Sequence, residues 1–427
     1  MKRGYANMKC GLIGEKLGHS FSSLIHNRLA DYSFTLREIE REKLGEFLGS
    51  DELDAFCVTI PYKKEVIPYL DYISPEAKAM GAVNVIVRKD GNKLYGYNSD
   101  YFGFEYTLSS SGVDLANKKA VVFGNGGASL TVCTVLRDKK IAELTVIGRS
   151  DNTPENISRH SDAQIIVNAT PVGMYPNNGI SPIDLSLFPK CEAVFDLVYN
   201  PARTELLLQA EKRGILAVSG LPMLVAQAAR GFEYFTGDSY ENGCIEKIID
   251  YISQSTRNVI LVGMPGCGKS TVGKLLAKSL GREFFDADDE FAKMHLITPA
   301  QAINTLGEEK FRLMENETLC HLGKKSCAVI ATGGGAVTRE YNYSPLHQNG
   351  VIVFLERDLD KLPVSGRPLS QGRNLAELYK SRIDSYLRFA DLRVESTEIP
   401  QMTADAIIRE LSKYDYTCVF KRKEVKI

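Results

Sequence analysis

The stretch Gly263-Met264-Pro265-Gly266-Cys267-Gly268-Lys269-Ser270-Thr271 constrains this chain more than any other. It follows the apolar run Val259-Ile260-Leu261-Val262, which reads as a buried strand. It precedes Val272-Gly273-Lys274-Leu275-Leu276-Ala277, which opens an amphipathic helix. The pattern is G-x-x-x-x-G-K-[ST] in a strand–loop–helix setting, the form a phosphate-cradling loop takes. Gly263, Gly266 and Gly268 let backbone N–H groups turn inward, and the helix N-terminus adds its positive end. Lys269 is then placed to reach outer phosphates, and Ser270, followed by Thr271, to hold Mg²⁺. The bland alternative is a glycine-rich strand–helix turn. Such a loop opens its domain, yet more than half of the chain lies ahead of it. The chain therefore reads as two proteins joined end to end.

A length of 427 residues fits about two to four domains with ample cores. A net charge of −1 and a pI near 6.6 favour neither nucleic acid nor an acidic membrane surface as partner. The nine cysteines are scattered and never spaced C-x-x-C, which argues against disulfides or a zinc site and for a reducing cytoplasm. No run approaches about 18 uncharged apolar residues, so no membrane span is expected. Met1-Lys2-Arg3-Gly4-Tyr5-Ala6-Asn7 lacks an apolar signal core, and Met8 is an alternative start.

In chain order, Met8–Gly14 reads as a first strand ending in a glycine turn. Ser20 and Ser22 sit at a loop-to-helix junction, where hydroxyls ordinarily cap the helix. Asp54–Pro61 is a strand ended by proline, and Lys63 just beyond it is by default a solvated charge. Gly81–Val87 and Tyr95–Asp100 flank Asp90-Gly91-Asn92 as a hairpin. Asn84 and Asp100 lie in or beside those strands and need partners, structural or ligand. Ala120–Phe123 runs into Gly124-Asn125-Gly126-Gly127-Ala128-Ser129 and a helix, a dinucleotide-like G-x-G-x-x with serine in the third position. The next strand, Glu143–Gly148, ends in Arg149-Ser150 rather than an acidic residue, which suits a 2′-phosphate and hence NADP. Further strands at Gln164–Pro171 and Glu192–Tyr199 complete a parallel-sheet pattern with ligands at the strand C-termini. The last helix of this half runs to about Ser253, leaving Gln254-Ser255-Thr256-Arg257 as the linker.

From about residue 8 to 250 the chain resembles shikimate dehydrogenase. The resemblance is carried by His19-Ser20-Phe21-Ser22, Val58-Thr59-Ile60-Pro61-Tyr62-Lys63, Gly81-Ala82-Val83-Asn84 and Asn98-Ser99-Asp100. It continues through Gly124–Ala128, Asn168-Ala169-Thr170-Pro171-Val172-Gly173-Met174, Asp196-Leu197-Val198-Tyr199-Asn200-Pro201 and Met223-Leu224-Val225-Ala226-Gln227. It implies that Ser20, Ser22, Thr59, Asn84, Tyr199 and Gln227 bind the substrate, that Lys63 and Asp100 are the catalytic pair, and that Gly124, Gly126, Gly127, Ala128 and Arg149 hold the cofactor. Reducing a ring ketone places charge on oxygen, so a proton donor beside the hydride is chemically required, and a lysine can serve. Where the family usually carries Asn-Arg-Thr, this chain has Gly148-Arg149-Ser150, and the connection from Arg149 to Asp162 is short.

In the second half, Phe284-Phe285-Asp286-Ala287-Asp288 ends a strand with two carboxylates that suit Mg²⁺, a substrate proton, or a helix cap. Arg312 is by default solvated. Gly333-Gly334-Gly335 follows a buried strand and suggests close backbone approach by a ligand. With Phe311-Arg312, Arg367-Pro368-Leu369, and Arg382 followed by Tyr386 and Ala390, residues from about 257 to 415 resemble shikimate kinase. The resemblance implies Asp288 as the group accepting the substrate's proton. It gives the carboxylate to Arg312, Arg382, Gly334 and Gly335, Mg²⁺ to Asp286 with Ser270, and the transferring phosphoryl group to the lid residue Arg367 beside Lys269. The tail Phe420-Lys421-Arg422-Lys423-Glu424 reads as a solvated end.

The expected fold class is α/β. A substrate domain (8–100, completed by 225–253) and a Rossmann-like NADP domain (101–224) precede a P-loop α/β/α domain of the nucleoside-monophosphate-kinase type (257–415). The expected function is bifunctional: NADPH-dependent reduction of 3-dehydroshikimate to shikimate, then phosphorylation of shikimate by MgATP. The expected partners are these small molecules, with no nucleic acid and no membrane, in the cytoplasm. One alternative is a non-catalytic sensor or repressor built from degenerate copies of both enzymes. The other is an NAD-preferring quinate/shikimate dehydrogenase fused to a kinase.

Overall fold

Apolar strands alternating with amphipathic helices build three sheets in succession in the computed structural model, which describes residues 4–18, 20–362, 375–414 and 419–420. The first sheet comprises β1 (Lys9–Gly14), β2 (Ser33–Glu38), β3 (Ala55–Val58), β4 (Tyr72–Ile73), β5 (Val85–Lys89) and β6 (Lys93–Tyr97), in the order β2-β1-β3-β5-β6-β4. β1 runs parallel to β2 and β3, whereas β5 is antiparallel to both β3 and β6. The expected hairpin forms because Asp90, Gly91 and Asn92 all take positive φ, which those residue types tolerate. The helix Leu221–Thr236 returns to pack on β3 and β5 beside the helix Asp100–Ser111.

The second sheet contains β7 (Lys119–Phe123), β8 (Glu143–Ile147), β9 (Ile165–Asn168), β10 (Ala193–Asp196) and β11 (Leu216–Val218), all parallel. The spatial order β11-β10-β9-β7-β8 reverses direction between β7 and β9, the place where a doubly wound sheet binds its ligand. The short crossover from β8 holds one five-residue helix, Pro154–Ser158, capped by Thr153. β9 and β10 are buried on both faces, as the continuous runs Ile165-Ile166-Val167 and Ala193-Val194-Phe195 require.

The third sheet is entirely parallel: β12 (Asn258–Val262), β13 (Glu283–Asp286), β14 (Ala328–Ala331), β15 (Gly350–Glu356) and β16 (Leu392–Glu395), in the order β13-β14-β12-β15-β16. The central β12, flanked by β14 and β15, delivers the phosphate-loop sequence at the middle of the sheet edge. No helix among the described residues is long and apolar enough to cross a membrane.

One expectation is corrected at the junction. The helix Cys244–Thr256 continues through the expected linker, leaving Arg257 alone before β12. The joint is tied by the Arg282 guanidinium, which donates to the carbonyls of Gln254 (2.7 Å) and Arg257 (2.8 Å). Of the tail Phe420–Glu424, only Phe420 is among the described residues. β17 (Val419–Phe420) pairs antiparallel with β11 and covers that edge of the second sheet, where unpaired backbone groups would otherwise face outward.

Candidate active sites

Lys63 stands on the turn that follows β3. The turn is closed by the Tyr62 N–H donating to the Thr59 carbonyl at 2.9 Å, and the Thr59 N–H reaches Ile13 at 3.0 Å. The Lys63 ammonium donates to Asp100 Oδ2 at 2.7 Å, while Asn84 Nδ2 donates to the other Asp100 oxygen at 2.9 Å. Asp100 is the first residue of its helix, where the positive helix end favours a carboxylate. Its side chain is 8 % exposed against 29 % for Lys63, so the pair is half in a cleft, with the lysine toward the opening. Asn84 is fully engaged: its Oδ1 accepts from the Ser99 N–H at 2.8 Å. Asn98, whose role the sequence leaves open, accepts from the Asp100 N–H at 2.9 Å and so fixes that first turn.

The Ser20 hydroxyl accepts from the Ser22 N–H, the first of the helix, at 3.2 Å, so one of the two hydroxyls serves the helix start as expected. Phe21 occupies the cap position without a side-chain bond, and the two hydroxyls pair with each other at 2.9 Å. A hydroxyl pair of this kind remains available to a polyol once a ligand competes for it. Phe21, between them, lies 5.3 Å from the Tyr199 ring. Gln227, half-buried on the helix Leu221–Thr236, packs beside Gly103 one turn beyond Asp100; a Cβ at Gly103 would come within 3.2 Å of the Gln227 Cβ. His19 lies outside the described residues.

On the second sheet, Gly124 has φ of 109°, and a Cβ there would meet the Ala169 carbonyl at 3.0 Å. Only glycine lets the ends of β7 and β9 approach this closely. Gly126 and Gly127, at the start of the helix Gly127–Asp138, face open space, and Ala128 is exposed beside them. The helix N-terminus is thus uncovered, as a pyrophosphate site needs. Ser129 in the third position is buried and lies 3.9 Å from Cys133 Sγ, so its role is in packing. Arg149 is exposed just after β8, with Asp151 close by.

In the third sheet, a cavity of about 620 Å³ is bounded by the phosphate loop, Asp286, Asp288, Arg312, Gly333–Gly335 and Arg382. Gly263, Gly266 and Gly268 have φ of 151°, 88° and 99°, and a Cβ on Gly263 would strike the Leu355 carbonyl at 2.5 Å. The buried Lys269 ammonium spans the loop, donating to the carbonyls of Gly263 (3.0 Å) and Met264 (3.1 Å). Ser270 and Thr271 are exposed on the cavity side. Asp286 does two jobs at once: Oδ1 caps the next helix by accepting from the Asp288 N–H (3.0 Å), and Oδ2 accepts from the Ser270 hydroxyl (2.5 Å). Asp288 lines the same cavity.

Arg312 is not solvated. It is 2 % exposed and bonded to Glu315 (2.8 Å) and Glu308 (3.2 Å). Burial pushes the Glu315 carboxyl up, and the adjacent Arg312 charge opposes that rise. The triple glycine is explained from inside the protein: a Cβ on Gly335 would lie 2.3 Å from the Arg312 guanidinium, and one on Gly334 would lie 2.6 Å from Pro265. The close approach expected of a ligand is made first by this arginine. Arg382 and Tyr386 both donate to the Gly334 carbonyl, at 3.2 and 2.5 Å. Glu315 and Thr332, also lining the cavity, went unread in the sequence, although Glu315 stands at i+3 from Arg312 on one helix face. Arg367 lies outside the described residues.

Comparison with known proteins agrees with this geometry in both halves. The family model for the shikimate dehydrogenase substrate binding domain matches residues 12–86, and that for shikimate kinase matches residues 265–412. The NADP(+) shikimate dehydrogenase of Clostridium beijerinckii is 38 % identical over 253 residues, spanning 54 % of this chain and 93 % of the relative. A chorismate mutase/shikimate 5-dehydrogenase fusion protein from Clostridium acetobutylicum superposes with a TM-score of 0.55 at 36 % identity, covering 58 % of this chain and 97 % of that one. The shikimate 5-dehydrogenase of Thermus thermophilus, in complex with NADP(H) and shikimate, gives a TM-score of 0.51 at 30 % identity, covering 56 % and 98 %. Neither the sensor nor the NAD-preferring quinate alternative finds support in these relatives. The chain belongs to the shikimate dehydrogenase family through its N-terminal half and carries a shikimate kinase domain behind it, and so is a bifunctional enzyme of the shikimate pathway.

Proposed function

We propose that the Lys63–Asp100 pair carries the reduction of 3-dehydroshikimate and the 620 Å³ cavity carries phosphorylation of the resulting shikimate. The single observation that weighs most is the ammonium–carboxylate contact of 2.7 Å, oriented by Asn84 and open on the lysine side. Bound NADPH supplies the hydride. As charge builds on the substrate oxygen, the Lys63 ammonium stabilises it and delivers a proton, while Asp100 keeps the amine aimed and hydrogen-bonds a neighbouring hydroxyl. Ser20, Ser22, Thr59, Gln227 and Tyr199 would hold the ring and its carboxylate. The open helix start at Gly126–Ala128 and the exposed Arg149 fit a dinucleotide bearing a 2′-phosphate.

In the kinase half, Asp288 takes the proton of the attacking hydroxyl, and Arg312 and Arg382 with the backbone at Gly334 and Gly335 hold the carboxylate. Lys269 and the loop amides hold phosphates. The all-oxygen set of Ser270 and Asp286 fits Mg²⁺, an ion that takes few protein ligands and completes its shell with water and phosphate. The proposed domain limits are 8–100 with 225–253, 101–224 and 257–415, and the proposed location is the cytoplasm. The test is product mass after mixing the purified chain with 3-dehydroshikimate, NADPH and MgATP. Shikimate 3-phosphate is expected. Unchanged 3-dehydroshikimate would overturn the reading.

A further inference from the structure

At the seam between the second and third sheets lies a loop of the dehydrogenase half in which two backbone N–H groups are bonded by the kinase half, while its Asn200 carbonyl accepts from the Tyr175 N–H of its own half at 2.9 Å. The loop, Tyr199–Arg203, lies between β10 and the helix Glu205–Lys212. Its Ala202 N–H donates to Asn349 Oδ1 at 3.0 Å, and its Arg203 N–H donates to the Gln348 carbonyl at 2.9 Å. Buried backbone N–H groups must find acceptors, and here the acceptors lie 145 residues or more along the chain. Gln348 and Asn349 are 1 % and 7 % exposed. Asn349 is itself anchored, since its carbonyl accepts from the Asn258 N–H at 2.9 Å as β12 begins.

Charge follows the same route. The Arg203 guanidinium, 6 % exposed, lies 3.4 Å from Glu211 in its own half. Across the seam it donates to Tyr414 at 3.1 Å and lies 3.9 Å from Asp391. The space left at the seam, between Phe21, Tyr199, Ala202, Arg257 and Asn349, is about 10 Å³, room for one water at most. The loop is thus bonded from both halves, with little space beside it. At its start stands Tyr199, which rests on Phe21 between Ser20 and Ser22.

We propose that Asn349, together with the Gln348 carbonyl, is a positioning element of the dehydrogenase site supplied by the kinase half: it fixes the Tyr199–Arg203 loop and thereby the Tyr199–Phe21 wall beside the paired serines. The proposal rests on the reading of that wall as part of the shikimate pocket. The kinase half then acts as scaffold for the first reaction as well as catalyst of the second.

The test is steady-state kinetics of both activities on the full chain. Asn349→Ala removes the acceptor and is expected to raise the dehydrogenase KM for shikimate about tenfold while kcat changes less than about threefold. Kinase parameters should stay at the parent values. Asn349→Asp, which keeps an acceptor oxygen toward Ala202, should restore most of the affinity. Phe21→Ala reports on the wall itself and should raise the same KM. If Phe21→Ala raises KM and Asn349→Ala does not, the positioning proposal is overturned while the pocket reading stands. If Phe21→Ala leaves KM unchanged, the pocket reading fails and takes the proposal with it. Equal loss of both activities in Asn349→Ala would mark the seam as a general stability contact and also overturn it.

Discussion

Lys63 Nζ and Asp100 Oδ2 lie 2.7 Å apart, although they come from different elements 37 residues apart in sequence, and Asn84 grips the second oxygen of the same carboxylate. The carboxylate thus has one face committed to orientation and one to the amine. Lys63→Ala should lower the dehydrogenase kcat by about 100-fold or more, since the proton donor is lost. Asp100→Asn should lower it by a smaller factor, because the amide keeps the shape but loses the charge that orients the ammonium. Both variants should phosphorylate added shikimate at the parent rate. A coupled assay of each half reads this directly, and loss of kinase activity in a folded Lys63→Ala protein would refute independent sites.

The reciprocal variant is Lys269→Ala. Its ammonium is the cation over the phosphate loop, bonded to Gly263 and Met264 carbonyls. Phosphorylation should fall at least about 100-fold, as loss of a charge clamp on a transferring phosphoryl group does. Reduction of 3-dehydroshikimate should continue unchanged, with shikimate accumulating as the end product.

Gly335→Ala separates binding from folding. The added Cβ would sit 2.3 Å from the far end of the Arg312 side chain, the part best able to move. The displacement should fall on the Arg312 guanidinium and on its bonds to Glu315 and Glu308, so folding is checked by thermal unfolding before kinetics. We expect the kinase KM for shikimate to rise about tenfold, roughly 1.4 kcal/mol, with the KM for ATP nearly unchanged. A protein with parental shikimate affinity would show that Arg312 does not hold the substrate.

Two buried histidines give the fold an acid sensitivity. His26 is 1 % exposed, bonded to the Tyr32 hydroxyl at 2.6 Å and stacked 3.9 Å from Phe34; burial pushes its imidazole down to about 3. His347, beside the seam, is pushed down to about 4 by burial. Both folded values lie below the ordinary 6.5, so below that pH the unfolded chain binds protons that the native state does not. Their contribution to stability is complete above about pH 6.5 and is lost as pH falls, by about 1.4 kcal/mol per unit for each. Asp196, which burial pushes up to about 7, works in the opposite direction over the same range, so the readout is a difference: His26→Gln should lower the pH slope of urea unfolding between about pH 5 and 6.5 by roughly 1 kcal/mol per unit relative to the parent. An unchanged slope in that variant would exclude His26 as its source.

Legibility in the sequence followed the range of the interactions. The phosphate loop, the hairpin at Asp90–Asn92 and the glycine turn after β7 are readable because each depends on backbone freedom within a few residues. The capping reading holds in part: the Ser20 hydroxyl accepts the first helical N–H, but it also pairs with Ser22 beside the Phe21–Tyr199 contact, which local chemistry alone does not reveal. Glu315 escapes notice although its i+3 spacing from Arg312 is available, because a charged helix face looks the same whether solvated or buried. The pairing of Val419–Phe420 goes unread because nothing near Phe420 reveals that the edge of β11, some 200 residues earlier, lacks a neighbour.

By itself the sequence marked a shikimate dehydrogenase half and a shikimate kinase half, and singled out the glycine-rich ends of β7 and β12 as candidate phosphate sites. These follow from strand burial, glycine φ and side-chain chemistry, all properties of short segments. Only the tertiary structure decided that Arg312 is buried against Gly335, that Asn84 orients Asp100, and that Asn349 of one half holds the Ala202 backbone of the other. The physical reason is that a buried polar group must be satisfied by whatever the fold brings beside it, and chain separation sets no limit on where that partner comes from.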